Sequence, residues 1–153
     1  MAWPPLDQTT HLWLTRSVAV PALRVTAGDV QEAPGGRILA DGLRAAADSL
    51  TAASTSVDAT QRARDAGIAL LGLSGALTPW GKQLYRATVR LLGAVARGPG
   101  DTDHAEEDHQ AWRWAARTTQ RCEATNSEVD RIAVMLVAGA TIDSGVAAGV
   151  HAG

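Results

Sequence analysis

The chain has 153 residues, 46% of them hydrophobic, and a net charge of −2. That suits one globular domain with a real core. It excludes a generic polycationic coat for nucleic acid or membrane, although local patches stay open. Cys122 is the lone cysteine, which rules out an intrachain disulfide and a thiolate metal cluster and fits a reducing, cytoplasmic setting.

The start, Met-Ala-Trp-Pro-Pro, lacks the basic and apolar regions of a signal peptide. The longest apolar runs, 66–77 and 132–142, fall short of the roughly 20 residues of a membrane span. Lys82 is the only lysine, so arginine carries nearly all the positive charge. That is a compositional bias, and by itself no sign of nucleic-acid binding. Phenylalanine is absent, so Trp3, Trp13, Trp80, Trp112 and Trp114 must supply the aromatic bulk.

Asp7 or Thr9 can cap a first helix, which Pro21 interrupts. The expectation is one kinked helix to about Val30 or two short pieces, with a strand over 11–25 as the alternative. Pro34-Gly35-Gly36 is a break. A helix then runs over 36–53, with Ile38, Leu39, Leu43, Ala46, Ala47 and Leu50 on its apolar side and Arg37/Asp41 and Arg44/Asp48 as i,i+4 pairs. Asp58 is the expected cap of a helix to about Leu77, whose wide stripe (Ala66, Ile68, Leu70, Leu71, Leu73, Leu77) implies neighbours on more than one side. Gly67, Gly72 and Gly75 are expected to permit close helix approach.

Thr78-Pro79 is the strongest local signal, a cap followed by proline at the first helical position. The helix it opens spans 79–97, with Trp80, Leu84, Ala87, Leu91 and Val95 on one face, and Gly98-Pro99-Gly100 ends it. A further helix is expected over 103–124, with Trp112, Ala115, Thr119 and Cys122 inward. A last one is expected over 127–141, with Val129, Ile132, Ala133, Leu136 and Ala140 inward. The sum is an all-α bundle of about five helices around the 58–97 hairpin. Residues 1–145 form a single helical domain, and 146–153 are a flexible tail.

Three features bear on function. Glu106-x-x-His109 has the spacing used in carboxylate-bridged di-iron bundles, but those need two such motifs plus inward glutamates from other helices, and only one motif exists here. An acidic first turn at a helix N-terminus explains it equally simply, so no metal and no cofactor is expected. The second is a pair of basic stripes, Lys82/Arg86/Arg90/Arg97 and Arg113/Arg117/Arg121, which merge into one patch able to meet a polyanion if their helices are antiparallel neighbours. The acidic run at 101–108 in the same corner counts against nucleic acid. The third is Trp112 and Trp114, which point about 200° apart on a helix, so that one lies outside the core or in an interface. Trp and Arg are enriched at interface hot spots.

No Ser-His-acid pattern, nucleophile motif or phosphate-binding glycine loop is present, so a non-enzymatic role is expected. The reading is a helical scaffold, adaptor or oligomeric subunit with a protein partner or a second copy, no membrane, and Trp112, Arg113, Trp114, Arg117 and Arg121 at its interface. A nucleic-acid accessory protein using the arginine stripes is the alternative. A metal-binding carboxylate/histidine bundle is the second alternative.

Overall fold

The computed structural model describes residues 7–73, 77–99 and 103–121. Within them the chain is all-α and contains no strand. The expected 127–141 helix, the tail from 146, and Cys122 lie outside the described residues.

The first rod continues as helix to Gln31, close to the expected end at Val30, and the alternative strand over 11–25 does not form. α1 (Gln8–Leu14) passes into a π-helical turn (Thr15–Ala19) and then into α2 (Val20–Gln31). Asp7 opens it, its Oδ1 accepting from the Thr10 amide at 2.7 Å. Proline at position 21 has no N–H to return to the preceding turn. The wider turn just before it, where the Val20 amide reaches back to the Thr15 carbonyl, keeps the rod intact. The disturbed backbone also gains an outside partner, since the Thr119 hydroxyl donates to the Val18 carbonyl at 2.9 Å.

The turn into α3 (Arg37–Thr51) depends on glycine. A Cβ on Gly36 would sit 1.8 Å from the Val30 carbonyl oxygen, and Gly35 has φ 75°. α3 returns antiparallel to α2, tied by Arg24–Asp48 at 2.9 Å and by Arg44 donating to Gln31. Those contacts replace the expected partnerships: Arg44 also faces Asp41, and the expected Arg37/Asp41 and Arg44/Asp48 pairs do not form. Leu39, Leu43, Ala46, Ala47 and Leu50 are buried, but Ile38 is 68% exposed.

α4 (Ser56–Leu70) is capped by Thr55, whose hydroxyl accepts from the Asp58 amide at 3.0 Å. Asp58 therefore sits inside the first turn. The helix stops at Leu70, seven residues short of the expected end. The Leu71 and Leu73 amides there bond the Ile68 and Leu70 carbonyls in a tight turn. The tightest approach is at Gly42, where a Cβ would meet Leu70 Cδ2 at 2.9 Å; one on Gly67 would meet Leu92 Cβ at 4.0 Å, one on Gly72 meets nothing within 4 Å, and Gly75 lies outside the described residues.

Thr78 caps α5 (Pro79–Arg97) through the Gly81 amide at 3.1 Å, and Gly98 ends it at φ 73°. α6 (Ala105–Thr119) begins with Glu106, Glu107 and Asp108, which suit the positive end of the helix dipole. Successive rods pack on one another, and α6 closes the bundle against the π turn and α2. The core is mostly Leu and Ala, with Trp112 its largest fully buried side chain. Alanine faces bring helix axes close, and the indole fills the space that remains.

Candidate interaction surface

α5 and α6 are antiparallel neighbours, so the two basic stripes do meet, though not as whole stripes. Arg97 is taken out at one end. It grips Asp108, with Nε donating to Oδ1 at 2.7 Å and Nη2 to the same oxygen. Arg121 is taken out at the other, by Asp29 at 2.8 and 3.0 Å. Asp29 raises the Arg121 pKa through these hydrogen bonds and its charge. Both arginines act within the fold.

The remaining cations, Lys82, Arg86, Arg90, Arg113 and Arg117, are exposed and form no ion pair among the described residues. Arg90, Arg113 and Arg117 line a groove of about 540 Å³ between the two helices, together with Glu107, Gln110 and Trp114 over a floor of Ala87 and Ala111. The alanines open this groove, because larger side chains at 87 and 111 would fill it.

The tryptophan pair divides as its spacing requires. Trp112 is 1% exposed and belongs to the core, so the structure removes it from the expected interface set. Trp114 is half-buried, packed on the core with part of its indole in the groove. Trp80, expected on one face with Leu84, Leu91 and Val95, is 49% exposed, and Ile68 and Leu71 are exposed as well.

Glu106 and His109 are not joined by a third ligand. Among the described residues no three His, Cys, Asp or Glu side chains converge as a metal-binding group. Glu106 is exposed and accepts from Gln110 Nε2 at 3.4 Å. His109 is held below its usual pKa by burial and then by the Arg113 charge, with Glu106 pulling the other way.

Sequence reading missed a buried polar centre at the last turn of α5. His11 is fully buried, its Nε2 3.0 Å from the Val95 carbonyl and its Nδ1 2.7 Å from Ser56 Oγ. A carbonyl only accepts, so Nε2 carries the hydrogen and Nδ1 accepts a hydrogen bond from the serine hydroxyl. The helical partner of the Val95 carbonyl would be the amide of residue 99, which is Pro99 and has none. The carbonyl accepts from the Gly98 amide at 3.1 Å instead, and the imidazole is its second donor. Its bonds join α1, α4 and α5 at one point. Burial lowers the His11 pKa, outweighing the Val95 bond, so the ring is neutral at pH 7. The signal available in the sequence was Pro99 four residues after Val95, but nothing local connects it to position 11.

No protein-family model, curated protein or solved structure matches this chain. Among the described residues no helix is long and apolar enough to cross a membrane.

Proposed function

We propose that this protein is a non-enzymatic helical interaction protein, a scaffold, adaptor or assembly subunit, whose contact surface is the α5–α6 face. The reading is carried by one observation: three arginines without an acid partner among the described residues share a groove with a half-buried tryptophan. Like charges held side by side repel, and an anionic partner relieves that repulsion. An indole with one side on a firm core offers a preformed contact at little entropic cost.

Native mass spectrometry of the tagged chain from host lysate, with and without nuclease, tests the reading when paired with Trp114→Ala. The expected result is a protein companion or second copy that survives nuclease and is lost in the variant, while the variant melts as a folded protein. A bare monomer, or mass removed only by nuclease, contradicts it.

A further inference from the structure

We infer that the partner received by this face is a second copy of the same chain, laid antiparallel across α6 about a two-fold axis. The inference rests on the interaction reading above and names its partner. It comes from how charge is distributed along the exposed side of α6. Glu106 and Glu107 stand in the first turn, Gln110 in the middle, and Arg113 and Arg117 in the second half, and all five are exposed. At 1.5 Å rise per residue, Glu106 and Arg117 lie about 16 Å apart along the axis, too far to pair within one chain. The antiparallel α5 sets Arg90 and Arg86 beside the basic half and its Arg97–Asp108 pair beside the acidic half. One face thus has an acidic end and a basic end.

A two-fold axis crossing α6 between Gln110 and Arg113 maps each end onto its opposite. Glu106 of each copy then faces Arg117 of the other, and Gln110 faces Arg113. A closed two-fold contact uses the same patch twice, so it needs only this self-complementarity. Trp114 lies near the axis, where a small antiparallel interface is most fully desolvated. The same pattern disfavours a polyanion running along the face, because a strand seated on Arg113 and Arg117 next meets Glu106 and Glu107.

Sedimentation of purified full-length chain with two single-sign variants tests this. Glu106→Arg with Glu107→Arg makes the exposed side of α6 wholly basic; Arg113→Glu with Arg117→Glu makes that side of α6 wholly acidic. The expected result is a wild-type dimer that dissociates as salt rises, two variants that are each monomeric, and a dimer restored on mixing them in equal amounts. Circular dichroism melts establish that both variants are folded. Where a reversal unfolds the chain, Gln at the same positions replaces it, and the expected result is then a weaker dimer without rescue on mixing. A monomeric wild type at low salt, or variants that dimerise as it does, overturns the self-pairing. If the pure chain is monomeric yet a nuclease-resistant companion from lysate still depends on Trp114, self-pairing falls and the interaction reading stands. If neither association occurs, both fall.

Discussion

The last turn of α5 and its middle treat polar side chains in opposite ways. At the last turn, Arg97 holds Asp108, and the Val95 carbonyl accepts a hydrogen bond from His11, which in turn accepts one from Ser56. Each of these groups binds one helix to another. Two turns earlier, Arg90 stands with Arg113 and Arg117 around the groove, with no ion pair among the described residues. The buried cluster sets the register of α1, α4, α5 and α6. The groove cluster adds nothing to that register, which leaves it available to something outside.

Changes in the first region should cost stability, and changes in the second should cost association. The largest effect expected is that of His11→Ala, which leaves a cavity, strips the buried Ser56 hydroxyl of its acceptor and leaves the Val95 carbonyl with the Gly98 amide alone. Thermal or denaturant unfolding should show a loss of about 2–4 kcal/mol. Next is Asp108→Ala. It leaves Arg97, whose side chain is 27% exposed, without its carboxylate, and the expected loss is about 1–2 kcal/mol in the same measurement. A drop of this size at Arg113 or Arg117 would erase the contrast between the regions.

The pH dependence sharpens it. A histidine whose folded pKa lies below its unfolded value of about 6.5 binds fewer protons when folded. Its contribution is complete above pH 6.5 and is lost progressively as the pH falls toward the folded pKa. His109 is lowered too and acts with the same sign. The difference between wild type and His11→Gln across pH 7 to about 5 isolates the buried ring. The variant should show the shallower decline. Smallest in stability is Arg113→Gln with Arg117→Gln, expected to stay within about 0.5 kcal/mol of wild type because exposed positions without partners carry little folding energy.

Much of the architecture was legible because it is written locally. Thr78-Pro79 and Gly98 bound α5 as a cap, a proline and a left-handed glycine must, and the Leu/Ala spacing of α3 marks its buried side. What was illegible depends on which neighbours arrive. The α4 stripe is apolar on more than one side, so spacing cannot say that Leu70 goes in while Ile68 and Leu71 stay out. Arg97 and Arg121 look like their stripe-mates in sequence. Only the packing sets Asp108 and Asp29 against them and leaves Arg90, Arg113 and Arg117 outside any ion pair among the described residues. Trp112 and Trp114 were separable as a pair by helix geometry, but not assignable to core and surface until α6 was seated on α2. The π turn precedes Pro21 within a rod that continues helical to Gln31, and the sequence alone does not announce it.

The central claim is that the α5–α6 face is a contact surface and not part of what holds the fold. Sedimentation and thermal melting of Arg113→Gln with Arg117→Gln, run side by side with wild type, test it most directly. The account predicts an unchanged melt together with weakened association. A lowered melt with association intact would contradict it, and would return these arginines to the fold.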